Sequence, residues 1–232
     1  MSPALGDDWV RGPDGLRHRR AARVILLDET DRVLLVRGHD ADEPERSWWF
    51  TVGGGIDAGE TEVDAALREL REEAGLELAS EDLVGPVLTR AGIFRFFAET
   101  CRQDEVFFLA RVDGGHAPTD AGWTDVERDV LDEMRWLTTA QLRAETREVF
   151  PTALPDVVDA LAGGWDGVVR HLGTQYDDED EGAAEVGGRG TRHPAAAEPQ
   201  ASASDTHDEP SDPEELEPRP AAEPVETPGD AP

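Results

Sequence analysis

Apolar residues along this chain recur with two different periods. Residues 23–27 (RVILL) and 32–36 (RVLLV) are short runs of branched aliphatic side chains, separated by the turn-forming DETD at 28–31. Such runs closed by turn chemistry predict a β-hairpin. Residues 48–52 (WWFTV) predict a third strand that runs directly into Gly53, Gly54 and Gly55. From Thr61 the period changes: Val63, Ala66, Leu67, Leu70 and Ala74 recur at three and four, the stripe of an amphipathic helix over 61–74. Thr61 stands at its N-cap with Asp64 in the capping-box position, and Gly75 supplies the stop. Further strands are predicted at 84–89, 93–98, 105–112 and 134–137, and helices at 139–149 and 155–161. Strands around an early helix, with helices at the end, predict an α/β chain in which helices sandwich a mixed sheet.

Composition sets the limits of that domain. Residues 173–232 hold 17 acidic residues, 3 Arg and 9 Pro, with Tyr176 their one aromatic. Such a segment buries too little apolar surface to offset its ordering entropy, which predicts a disordered acidic tail. Residues 1–20 read as a loosely ordered arm in which Trp9 and Val10 are the groups able to dock. The domain is thus expected over 21–172, a single-domain size.

Charge narrows the partners. A formal charge of −30 repels nucleic acid and anionic membrane surfaces, so neither is expected. A phosphate-bearing substrate would need local Arg or metal. The chain has 22 Arg and neither Lys nor Asn, which reflects GC-rich coding rather than chemistry. The lone Cys101 excludes an intramolecular disulfide and a cysteine-based zinc site, and reads as a packing residue in a reducing compartment. The first residues hold no apolar run of signal-peptide type and no segment reaches membrane-spanning length, so a cytoplasmic protein is expected.

The chemistry concentrates on the helix. Glu69, Glu72 and Glu73 are spaced to share one face, where like charges repel unless a cation sits among them. A hard divalent ion with oxygen ligands answers that need. These glutamates also belong to a longer pattern: Gly, five residues, Glu, seven residues, then Arg-Glu-apolar-any-Glu-Glu-any-Gly-apolar. Gly54, Glu60, Arg68, Glu69, Leu70, Glu72, Glu73, Gly75 and Leu76 fill every fixed position. The segment resembles the signature box of the Nudix hydrolases, firmly over the box and loosely over 21–162.

The resemblance implies a Nudix-like α/β/α sandwich and hydrolysis of a diphosphate linkage in a nucleotide-type small molecule, with Mg²⁺ or Mn²⁺ as cofactor. It implies Glu69, Glu72 and Glu73 as metal ligands, Glu60 and Arg68 as braces between loop and helix, and the backbone of Gly53, Gly54 and Gly55 close to metal and phosphate. A further carboxylate acting as base or remote ligand varies within the family; Glu105 and Glu127 are the candidates. Val52 stands where the family commonly has Pro, which changes no ligand. Trp48 and Phe50 are candidates to stack on a base, whereas Trp49, at a position where the family often has Trp, reads as packing. Arg37, with Arg46, Arg90, Arg95 and Arg102, is a candidate phosphate partner. No Tyr follows the box within the core, and no Pro stands about sixteen residues past it, so two subfamily markers are absent. The expected activity is on a nucleoside triphosphate or related derivative. The alternatives are an ADP-ribose or nucleotide-sugar pyrophosphatase, and a non-catalytic nucleotide sensor, which the intact glutamates oppose. Many members of the family are dimers, which makes a homodimer one assembly to expect.

Overall fold

In the computed structural model, which describes residues 5–177 apart from 7, 41–42, 97–98 and 114–116, the short strand β1 (Val10–Arg11) pairs with the long strand β2 (Arg17–Leu27). Next come β3 (Val33–His39), β4 (Ser47–Thr51), β5 (Gly53–Gly55) and helix α1 (Glu62–Ala74). Strands β6 (Val84–Phe96) and β7 (Glu99–Arg111) precede α2 (Asp125–Val130), β8 (Leu131–Leu137) and α3 (Thr139–Ala144). The described chain closes with β9 (Glu148–Phe150), α4 (Leu154–Leu161) and β10 (Arg170–Tyr176).

The DETD turn is organised by Asp28. Its fully buried carboxylate accepts hydrogen bonds from the Thr30 and Arg32 amides, both at 2.9 Å, and from Arg32 Nε at 2.6 Å. The hairpin it closes is shallow, since β2 and β3 pair at Leu27↔Val33 alone. Instead β2 lies parallel to β7 from Arg17↔Cys101 to Leu27↔Arg111, and β3 lies between β4 and β8. The sheet order is β10-β6-β7-β2-β3-β4-β9, with β1 and β5 also on β2 and β8 also on β3. Parallel pairs (β2 with β7, β10 with β6, β4 with β9) occur beside antiparallel ones, so the sheet is mixed.

Helices cover both faces. Ala65, Ala66, Leu70 and Ala74 of α1 pack on Val24, Leu26, Leu34 and Val36. Leu154, Val157, Val158 and Leu161 of α4 pack with Ile25, Leu27 and Leu35, the alternate residues of the same strands, and with Phe107 of β7. This is the α/β/α sandwich. Helix α1 has the ends its sequence foretells: Thr61 Oγ1 accepts from the Asp64 amide at 3.1 Å, and Gly75 takes a left-handed φ of 68°.

Several elements differ from expectation. The helix predicted at 139–149 stops at Ala144, and 148–150 instead forms β9 beside β4. The branched Val149 is buried there, and Pro151 disfavours helical backbone at Phe150. The two strands expected at 84–89 and 93–98 are one, β6, because Arg90, Ala91 and Gly92 continue the ladder with β7; 97–98 lie outside the described residues. Trp9 is buried and Val10 exposed. Residues 173–176, read as the start of the tail, belong to β10, while 178–232 lie outside the described residues. Cys101 is in no disulfide and is fully buried, in keeping with a packing residue.

Candidate active site

Helix α1 delivers its carboxylates against the glycine loop. Glu73 accepts a hydrogen bond from the Gly53 amide at 2.7 Å, and Glu69 lies against Gly54, where a Cβ would stand 2.6 Å from Glu69 Oε1. Gly53 has a φ of 132°, and a side chain there would collide with the backbone of Ala22 and Arg23. Glycine is thus required by conformation at 53 and by proximity at 54.

Arg68 ties the loop to the helix. It donates to Glu60 Oε1 at 2.9 Å and Oε2 at 3.0 Å, to the Gly55 carbonyl at 2.7 Å, to Glu69 at 2.8 Å and to Glu72 at 3.1 Å. Hydrogen bonding from Arg68 holds the Glu60 carboxyl below its usual range, and Glu60 in turn raises the Arg68 guanidinium. Glu72, with 43 % of its side chain exposed, pairs with Arg68 at 3.1 Å and Arg71 at 3.6 Å and is not brought into the group that Glu69 and Glu73 form.

The third member of the central group comes from elsewhere in the chain. Carboxylate oxygens of Glu69, Glu73 and Glu127 all lie within 4.8 Å of one another, the one such group among the described residues. Glu127 gets there because the segment before α2 docks on the end of α1. The Trp123 indole donates to the Glu73 carbonyl at 3.0 Å, the Thr119 amide donates to Ala74, and Gly122 fits against the Glu72 backbone where a Cβ would clash. Glu127 also closes a capping box with Thr124, which fixes its helix. Burial, followed by repulsion from Glu69, pushes the Glu73 carboxyl up to about 8 against the opposing Gly53 amide; burial also raises Glu69, against the pull of Arg68. Clustered carboxylates in this state lack positive charge.

These groups open into a cavity of about 450 Å³. Trp48, Phe50, Arg46, Arg90 and Arg95 line it, as does the Gly53–Gly55 backbone. Trp49 faces the other way, fully buried in the core, with its indole donating to Glu145 at 3.2 Å. Arg37 is not brought to the cavity. It sits in register with Trp49 and Glu133, so its guanidinium lies 3.1 Å from Glu133 and over the Trp49 ring. Arg102 pairs instead with Asp104.

Glu105 is buried in the cavity wall between two cations, Arg23 and Arg90, each of which donates to one of its oxygens. Burial alone would raise its pKa, but the two guanidinium groups outweigh that and hold it down at about 2. It therefore anchors arginines and makes a weak base. Arg23 extends this anchor to the glycine loop by donating to the carbonyls of Thr51 at 2.9 Å and Gly53 at 2.8 Å. Arg19, Arg23, Gln103 and Asp177 also line the cavity. Sequence reasoning passed over them because each is isolated in the chain; only strand pairing makes neighbours of Arg19 and Gln103.

A NUDIX domain is matched over residues 17–156, more than half of the chain, and the chain belongs to that family, the Nudix hydrolases. Among relatives, the uncharacterized Nudix hydrolase YvcI of Bacillus subtilis (strain 168) is 37 % identical over 60 residues, 26 % of this chain and 35 % of YvcI. An RNA pyrophosphohydrolase of Erythrobacter litoralis (strain HTCC2594) is 30 % identical over 138 residues, 52 % of this chain and 83 % of the relative. The 8-oxo-dGDP phosphatase NUDT18 of Homo sapiens is 35 % identical over 91 residues, 39 % of this chain and 24 % of NUDT18. The chain thus spans about a third of YvcI and a quarter of NUDT18. No helix among the described residues is long and apolar enough to cross a membrane.

Proposed function

We propose that this protein hydrolyses a diphosphate linkage in a nucleoside triphosphate, oxidised nucleotides included, with Mg²⁺ or Mn²⁺ as cofactor. The observation that carries the reading is the convergence of Glu69, Glu73 and Glu127 beside Gly53 and Gly54 in one cavity. The donor set fits a hard divalent ion: it is all carboxylate oxygen, largely withdrawn from water, and short of positive charge. Glu69 and Glu73 would hold the ion and Glu127 would complete the set; of the two acids considered as proton acceptor, Glu127 is the one in this group. Glu72, paired with Arg68 outside this group, is the additional carboxylate on the same helix. When bound, the ion supplies charge neutralisation at the diphosphate and acidifies the attacking water.

The chain's own residues do the rest. Arg68 fixes Glu60, Glu69 and the Gly55 carbonyl as one unit, so loop and helix keep a constant spacing. Arg23, held by Glu105, pins the Gly53 carbonyl and thereby turns the loop's amides. Arg46 and Arg95 lend positive charge to the cavity, and Trp48 and Phe50 offer a face to a flat base. NUDT18, a relative named for 8-oxo-dGDP, supports a purine nucleotide. The relative named for RNA points toward a nucleic-acid end, which the charge of −30 opposes. A cytoplasmic setting suits a nucleotide substrate and the lone buried Cys101.

The test is incubation of the protein with Mg²⁺ or Mn²⁺ and a panel of nucleoside triphosphates, oxidised triphosphates, ADP-ribose, nucleotide sugars and a 5′-triphosphorylated oligoribonucleotide, with products separated by chromatography. Hydrolysis of triphosphates ahead of the other groups supports the reading. Nucleotide binding with no hydrolysis across the panel would make the protein a sensor.

A further inference from the structure

The cavity has a wall that the matched domain does not supply. Residues 17–156 form the NUDIX match, yet Leu5, Gly6, Asp8 and Trp9 line the same cavity as Glu69 and Glu73. Trp9 is 5 % exposed although it precedes the first long strand. Pairing of β1 with β2 and a turn from the Trp9 amide to the Gly6 carbonyl, at 3.1 Å, bring it there. Its ring is held from two sides, by the Arg19 guanidinium 4.3 Å from its centre and by Phe94 edge-on at 6.1 Å.

Asp8 joins this wall to the phosphate end. Its carboxylate meets Arg19 at 3.2 Å, and a Cβ on Gly55 would stand 2.7 Å from Asp8 Oδ2, so the arm touches the glycine loop. From Arg19 a path of hydrogen bonds runs through Gln103 and Glu105 to Arg23 and the Gly53 carbonyl. One end of the cavity therefore carries carboxylates and loop amides. The arm closes another part with an immobilised aromatic ring.

We propose that Trp9 is a specificity-determining residue: its ring forms the wall against which the flat base of the substrate packs while the phosphates lie at the glycine loop. This rests on the nucleotide reading given above. The occupant is a base because the cavity is continuous with the carboxylate cluster, and at about 450 Å³ it falls in the range of small-molecule sites. A flat, uncharged ring system matches an aromatic wall, whereas a bare polyphosphate would gain nothing from it.

The test compares affinities by calorimetry in Mg²⁺, using full-length protein. The ligands are a dGTP analogue with methylene groups at both bridging positions, and tripolyphosphate. Loss of a base–aromatic contact predicts that Trp9→Ala weakens the analogue about tenfold and tripolyphosphate less than about twofold. Trp9→Phe should stay within about threefold of wild type. If Trp9→Ala does not fold, Trp9→Leu keeps the apolar bulk without the ring and should show the same selective loss. Equal affinity for the analogue in wild type and either ring-less variant overturns the proposal, as does an equal loss for both ligands. Turnover of unmodified dGTP separates the two readings. Absent turnover with a selective binding loss defeats hydrolysis and leaves Trp9 in place; intact turnover with unaltered binding defeats Trp9 alone.

Discussion

At the residue scale, two positions separate catalysis from stability. Gly54 is a glycine because Glu69 needs the space, and the atom that a new Cβ would meet is the mobile end of that side chain. Gly54→Ala should therefore leave the thermal midpoint within a few degrees of wild type while displacing Glu69 and lowering kcat/KM at least about tenfold. A thermal melt and a rate measurement on the same sample check it, and wild-type turnover would contradict the placement of Glu69. Glu105 makes the opposite prediction. Its folded pKa of about 2 lies below the 4.5 ordinary for a glutamate, so the stability it contributes is present above about 4.5 and lost as pH falls toward 2. The shift corresponds to an order of roughly 3 kcal/mol. Urea midpoints measured from pH 6 to pH 2.5 should fall over that window, and Glu105→Gln should flatten this part of the profile while lowering stability at neutral pH, because Arg23 and Arg90 lose their shared anion.

At the element scale, local signals were legible and remote pairings were not. Thr61, the three-four stripe and Gly75 announce α1 because caps and periodicity act within a few residues. The same spacing places Glu69 and Glu73 together, and Arg68 with them. Residues 148–150 become a strand only because β4 lies alongside, a relation no local window contains. Strand β10 (RHLGTQY) lacks a clear apolar alternation and is defined by its parallel partner β6. Arg19 and Gln103 escape sequence reading for the same reason, and Trp9 is legible as able to dock but not where: sites built across strands leave no spacing to find. The extent of β10 also sets a boundary prediction. A chain ending at Asp177 should keep its melting temperature, whereas one ending at Leu172 loses most of β10 and the 2.9 Å pairing of Asp177 with the buried Arg90, and should melt several degrees lower. Equal melting of the two truncations would show that β10 adds nothing to the fold.

At the scale of the whole molecule, a strongly acidic protein brings both signs of charge into one cavity. Arg19, Arg23, Arg46, Arg90 and Arg95 line it together with Asp8, Glu69, Glu73, Glu105, Glu127 and Asp177. Three of these carboxylates crowd to within 4.8 Å and leave room for a cation to act. Through this carboxylate group, on the Nudix scaffold, the proposed hydrolysis depends on a divalent ion. The most direct measurement is a Mg²⁺ titration of nucleotide hydrolysis by wild type and by Glu69→Gln, Glu73→Gln and Glu127→Gln. The account predicts no turnover in chelator, saturable activation by Mg²⁺, and for each variant at least about a tenfold loss of rate with weaker apparent Mg²⁺ affinity. Chelator-resistant hydrolysis, or wild-type rates in all three variants, would contradict it.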